Sequence, residues 1–266
     1  MMSHEEMLEY ARKSYSQPAG KAIRGSFPPK PKEVLPPGEF LDRLIEAAFR
    51  NSPNLLHPFA SRLVNGKWEK PQLQEWVRQD YQRIVLIIRR HALIAGNSPD
   101  YETIWGLLAR VKAEADVDPV GGNFFALPTL WIKFGIALGV SREEIAGCQP
   151  HTLLGLLYEA LLTEVRFSSA LPVREVVEAS IDPVFYRLWG EALERSCQLP
   201  HDSLDYFWAR AADHWGQDTG RSILLRGAES AEAQEVLWSE YQKQIKVDRE
   251  WHRLTILQRL MDSGTA

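Results

Sequence analysis

Apolar residues recur along most of this chain at three- and four-residue intervals, the period of helices with one buried face. In "GEFLDRLIEAAFRN", Phe40, Leu41, Leu44, Ile45, Ala48 and Phe49 fall on one side. After "NGKWEKP" the pattern predicts a helix from near Pro71 through "QLQEWVRQDYQRIVLIIRRHALIAG". Proline suits a first turn, and Gly96–Asn97 ahead of Pro99 supplies a stop. "SPDYETIWGLLARVKAEAD" predicts a third helix, with Ser98 or Asp100 available as its cap. "NFFALPTLWIKFGIALGV" gives a fourth, and "SREEIAGC" a short fifth that opens on the spacing of a capping box. "QPHTLLGLLYEALLTEVRFSSAL" and "PVREVVEASIDPVFYRLWGEALERS" supply two more helical stretches, the second interrupted at Pro183. A helix capped by Asp202 or Ser203 continues through "LDYFWARAADHWGQDTGRSILLRG", and a long one from "SAEAQEVLWSEYQ" closes the chain. No run alternates as a half-buried strand would. The expected fold class is therefore all-α, with about seven to nine helices.

The first residues depart from this pattern. Residues 1–14 could form a short helix, but "SQPAGKAIRGSFPPKPKEVLPPG" is rich in proline and glycine. The expected organisation is an extended arm over 1–38 followed by a single helical domain over 39–266.

Composition narrows the function classes. The chain has 266 residues, enough to bury a sizeable core, and its 45% hydrophobic and 25% charged content is ordinary for a globular protein. A net charge of −4 offers no basic footprint for nucleic acid or an anionic membrane. The longest apolar run, Ile84–Ile88, is too short to span a bilayer, and the charged N-terminus does not read as a signal peptide. Two cysteines, Cys148 and Cys197, argue against a disulfide scaffold or a cysteine-based metal site and fit a reducing cytoplasm.

Candidate chemistry lies in sparse histidines and buried-looking arginines. On the predicted helix from Ser203, Tyr206, Arg210, His214, Asp218 and Arg221 share one face. Such a stripe can ligate a metal, move protons or form a solvated, salt-bridged surface. His91 follows the apolar run "IVLII", where a satisfied core histidine is commoner than a ligand. Arg83, Arg89 and Arg90 flank that run and require carboxylate partners or a bound anion. Arg110 and Glu114 stand four apart, the spacing of a helical ion pair. Walker, Rossmann, nucleophile-elbow, HExxH and CxxC patterns are absent.

Three segments together carry a resemblance. "LLHPFASRLVNGKWEKPQLQEWVRQDYQRI", "HALIAGNSPD" and "GIALGVSREEI" resemble, in order and spacing, the family of pyrroloquinoline-quinone synthase and the TenA-type thiaminase II proteins. The resemblance covers roughly residues 37–263 and implies the haem-oxygenase-like fold, a helical bundle around a central pocket in which no haem is expected. Non-haem iron oxidases of that superfamily carry Glu and His seven residues apart, a middle carboxylate, and a late His-x3-Asp-x2-His. His91, His214 and Asp218 match parts of that set, and Asp182 falls near the middle position. Ile84 and Arg221 replace two ligands, so any iron, mono- or dinuclear, would have an incomplete set. The quinone synthase branch instead implies a metal-free pocket; Arg110 matches its pocket arginine, while Arg83 and Glu114 depart from its pattern.

The resemblance thus implies an oxygen-dependent oxidase or oxygenase acting on a small anionic, amino-acid-derived substrate in specialised biosynthesis. His214, Asp218, Arg221, Tyr206 and Arg210 would be its catalytic residues, with Arg83, Arg110 and Glu114 binding substrate. His91, His214, Asp218 and Asp182 would hold any metal. Two alternatives stand beside it: a cofactorless oxidase in the same pocket, and a non-catalytic descendant that binds a ligand or partner. The family's habit also suggests a homodimer.

Overall fold

The computed structural model describes residues 2–16, 27–115, 126–149 and 172–254, with the short pieces 155–156, 159–160 and 162–163 between. Among them there is no strand, and the chain folds as the all-α haem-oxygenase-like bundle that its periodicity and resemblance led us to expect. Along the chain run α1 (His4–Tyr15), α2 (Pro37–Asn51), α3 (Pro53–Leu56), α4 (Pro58–Val64), α5 (Lys70–Asn97), α6 (Tyr101–Ala115), α7 (Leu127–Ala137) and α8 (Arg142–Gly147). After them come α9 (Val173–Cys197), a 3-10 turn (His201–Leu204), α10 (Asp205–Ala211), α11 (Thr219–Arg226) and α12 (Ala231–Leu254). Most of the stretch "QPHTLLGLLYEALLTEVRFSSAL", and the expected extension of the last helix past 254, lie outside the described residues. Among the described residues no helix is long and apolar enough to cross a membrane.

Helix ends follow local chemistry. Ser3 and Ser141 close capping boxes with Glu6 and Glu144, and proline opens α2, α3, α4, α5 and α7. The Asn65–Gly66 turn needs φ +63 at Gly66, a left-handed conformation that glycine adopts without strain.

The centre of the bundle is α9, which packs against α1, α2, α4, α10, α11 and α12, while α5 packs against α6, α7 and α8. Where these two groups meet, Trp76, Trp131, Phe134, Trp189, Tyr206 and Phe207 make edge-to-face and tilted contacts 4.8–6.3 Å between centroids. Full burial stabilises each ring by about 2 kcal/mol before the pairing geometry adds to it. The N-terminal residues join this core. Met7, Leu8, Ala11 and Tyr15 of α1 are buried, and Gln234 of α12 clasps both backbone groups of Leu35.

Two expectations are corrected. The predicted interruption at Pro183 is not found: α9 continues through it, because burial on nearly every side outweighs the one lost backbone bond. The helix expected from Ser203 past Arg221 is broken between Ala211 and Thr219. Gly216 sits against α9 so closely that a Cβ there would lie 2.5 Å from backbone atoms of Ala179 and Ser180. Ser180 Oγ lies 3.0 Å from the Gly216 carbonyl, and Asp213 Oδ1 accepts from the Trp215 backbone N–H at 3.0 Å. Trp215 Nε1 donates to the Gly106 carbonyl on α6 at 3.1 Å. These ties pull residues 212–218 off the helical path and cut the polar stripe after Arg210.

Gly216→Ala should therefore lower stability by about 2 kcal/mol, since backbone cannot yield as a side chain can. A urea unfolding midpoint equal to wild type would refute that packing.

Candidate functional site

Four helices each turn a pair of polar residues into one buried seam. The pairs are three or four residues apart, so each points from a single helix face. From α5 come Asp80 and Arg83, with His91 two turns on; from α6, Arg110 and Glu114. From α9 come Asp182 and Tyr186, and from α10 Tyr206 and Arg210. Asp213 and Trp215 reach in from the irregular segment. His91, Arg110, Glu114 and Arg210 are each less than 8% exposed.

Glu114 is the hub. Its Oε2 lies 2.8 Å from His91 Nδ1, and its Oε1 lies 3.1 Å from Arg110 Nε and 3.4 Å from Arg210 Nη1. Arg210 continues outward, with Nη2 3.3 Å from Asp182 Oδ2 and Nη1 3.7 Å from Asp213 Oδ2. Arg110 Nη1 also pairs with Asp213 Oδ2. Arg83 forms a two-pronged bridge to Asp80 at 2.6 and 2.7 Å. The guanidinium of Arg110 stacks 5.3 Å over Trp215, and that of Arg210 5.1 Å over Tyr186. On the other side of His91, buried Glu175 pairs with Arg90 Nε at 2.6 Å, while its Oε2 makes no hydrogen bond.

These partners set the charge states. Burial alone would raise the Glu114 carboxyl, but His91, Arg110 and Arg210 hold it down at about 2, so it stays ionised. Burial does raise Asp182, and neighbouring Asp213 adds to that, against the pull of Arg210, Arg83 and Arg110. Arg83 and Arg210, which burial would depress, are kept fully charged, Arg83 chiefly by Asp80 and Arg210 by Asp213 and Asp182. Burial and Tyr186 push the Tyr206 phenol well above its ordinary range, leaving it a neutral donor.

Of the residues singled out from the sequence, His91, Arg83, Arg110, Glu114, Asp182, Tyr206 and Arg210 meet in this seam. His214 and Asp218 do not join it: both are exposed on the segment where the expected helix breaks. Arg221 turns the other way, binding Asp42 Oδ1 at 2.6 Å and the Gly38 carbonyl at 3.3 Å on α2. Arg89 is exposed, whereas Arg83 and Arg90 have the carboxylate partners their position required. The set read for iron is thus not assembled. His91 is tied to Glu114, Asp182 to Arg210, and among the described residues no three His, Cys, Asp or Glu side chains group as metal ligands. With Asp80, Glu114 and Asp182 each already engaged by an arginine, the donor set does not fit an iron ion.

Sequence reading missed Asp80, Glu175, Tyr186 and Asp213. Asp80 and Tyr186 could have been found, three residues from Arg83 and four from Asp182. Asp213 stands three residues after Arg210, but the helix that would give that spacing meaning ends at Ala211, and its contact with Arg110 carried no local signal.

The sequence profile described as the TENA/THI-4/PQQC family matches residues 44–246. A pyrroloquinoline-quinone synthase of Cronobacter sakazakii (strain ATCC BAA-894) is 27% identical over 245 residues, covering 87% of this chain and 85% of that protein. One from Acinetobacter baumannii (strain AYE) is 27% identical over 132 residues, so the chain spans about half the length of this relative. A 4-aminobenzoate synthase of Chlamydia muridarum (strain MoPn / Nigg) is 32% identical over 111 residues, 42% of this chain and 44% of that one.

A carboxyl held below its unfolded value stabilises the fold fully above that value, and loses the contribution as pH falls toward the folded one. For Glu114 the window runs from its ordinary 4.5 down to about 2, and the contribution is on the order of 3 kcal/mol. Glu114→Gln should therefore destabilise the protein at pH 7 and flatten the acid limb between pH 5 and 2.5. Parallel wild-type and variant urea curves over that range would contradict the hub assignment.

Proposed function

The chain belongs to the TENA/THI-4/PQQC family, and on that premise we propose that it is a biosynthetic oxidase using dioxygen on a small, electron-rich aromatic carboxylate. The observation that carries the reading is the buried seam itself, with Arg110 and Arg210 converging on the His91–Glu114 pair. Guanidiniums kept charged away from water suit a carboxylate substrate. The names of the relatives support the class: a quinone in one case and an aminobenzoate in another.

In this reading His91 is the general base. Glu114 holds its Nδ1 proton, which leaves Nε2 free to accept a proton from a substrate hydroxyl or amine. Removing that proton makes the aromatic ring a stronger electron donor. The substrate then gives up two electrons and two protons to dioxygen, which leaves as hydrogen peroxide. Tyr206, neutral and buried, and the buried Tyr186 beside it would donate hydrogen bonds to oxygen atoms of either partner. Glu114 and Asp182, the carboxylates a metal would need, are already paired with arginines, so the reading takes the cofactorless alternative over iron.

The test is dioxygen uptake and peroxide release with 3,4-dihydroxybenzoate and 3-amino-4-hydroxybenzoate, using protein freed of metal by chelation. Turnover should persist without metal, and His91→Ala should lower kcat by about a hundredfold or more. Activity that returns only with added iron would overturn the metal-free reading. Binding of these compounds without oxygen uptake would favour a non-catalytic binding protein instead.

A further inference from the structure

Asp213 belongs to no helix, yet its carboxylate is the one the irregular segment delivers to the buried arginines. One oxygen, Oδ2, contacts Arg110 Nη1 and lies 3.7 Å from Arg210 Nη1, while the other, Oδ1, accepts from the Trp215 backbone. Its side chain is only 13% exposed although the residues on either side, Ala212 and His214, are exposed. The arginines it meets have capacity to spare. The Nε of Arg110 and that of Arg210 are both buried and without a hydrogen bond, Arg110 Nε approaching Glu114 without aligning to it. A buried N–H with no acceptor is costly, so two in one cluster mark a place where acceptor oxygens are missing. Trp215, two residues on, closes over the flat face of Arg110.

We propose that Asp213 is an in-chain stand-in for the carboxylate of a ligand: it fills a carboxylate subsite built by Arg110 and Arg210, and an aromatic carboxylate displaces it. This rests on the proposed oxidase reading for the ligand class and adds the subsite and its gate. An incoming carboxylate has two oxygens to place, so it can satisfy Arg110 and Arg210 together where Asp213 offers them one. When Asp213 leaves, residues 212–218 lose one of their inward ties, and the Trp215 ring, still held at Nε1 by the Gly106 carbonyl, is freed from Arg110 to lie against the ligand's ring. The segment is joined to α10 and α11 at its ends and to α9 at Gly216, so its movement is local. The competition also explains how positive charge is kept in a dry core without a ligand: the chain supplies its own anion.

The experiment compares wild-type protein with Asp213→Asn, which keeps the oxygen that accepts from Trp215 but removes the charge. The probe is 4-hydroxybenzoate, titrated calorimetrically, with 4-hydroxybenzamide as its uncharged control. The variant should bind the benzoate at least tenfold more tightly than wild type and show no such gain for the amide. Equal or weaker benzoate binding, or no binding by either protein, would overturn the proposal. Should the variant fold poorly, formate or acetate should raise its melting temperature more than that of wild type; no such rescue counts against the subsite. Wild-type protein gives an independent reading by hydrogen exchange, where benzoate should speed deuterium uptake across 212–218. Unchanged or slower uptake with the benzoate bound would also overturn it. Oxygen uptake on uncharged phenols alongside a null binding result would remove the subsite and leave the oxidase reading standing.

Discussion

Arg83, Arg110 and Arg210 share the interior of this bundle with Asp80, Glu114, Asp182 and Asp213, and their mutual neutralisation is the condition on which the interior rests. Isolated charges at that depth would each cost several kcal/mol, and removing one partner strands the others. Glu114 matters most because it serves His91, Arg110 and Arg210 at once. The orientation of α6 relative to α5 and α10 is thereby fixed by one carboxylate. The same contacts settle which groups are charged and which are neutral, and that is the starting point for any proton chemistry the seam performs.

The aromatic core holds the seam in place. Tyr206 belongs to both: its ring packs on Trp131 at 4.8 Å and on Tyr186 at 5.7 Å, while its phenol sits near Arg83 and Arg210. Tyr186 likewise packs on Trp189 and lies under Arg210. Rings this tightly packed have few alternative rotamers, so the polar groups they carry are preorganised rather than searching for partners. The one portion of the described site that is not helical is the segment bearing Asp213 and Trp215.

How legible this was differs residue by residue. Arg83, Arg110, Glu114 and Arg210 were visible because charged residues beside apolar runs, or four apart on a helix, must find partners. His91 stood out for the same reason. His214, Asp218 and Arg221 were grouped with them by extending a helical period over "DHWGQDTGR", and the period fails there. Nothing local in that stretch forbids a helix. The break comes from Gly216 meeting the backbone of α9 and from Trp215 reaching Gly106, both contacts with residues far away in the chain.

The all-α class, most helix positions and the helix ends follow from the order of residues alone, because periodicity and capping act over neighbours. The chain's resemblance also placed it in the right family. Which charges meet is set by the packing of the helices. Pairing depends on how helices distant in sequence cross, and a side chain's partner is chosen by that geometry and by the cost of leaving it dry and alone. So His91 was grouped with His214 and Asp218 and meets Glu114 instead. Arg221 was read as a pocket residue and faces α2. Asp213, which no pattern marked, holds two of the buried arginines.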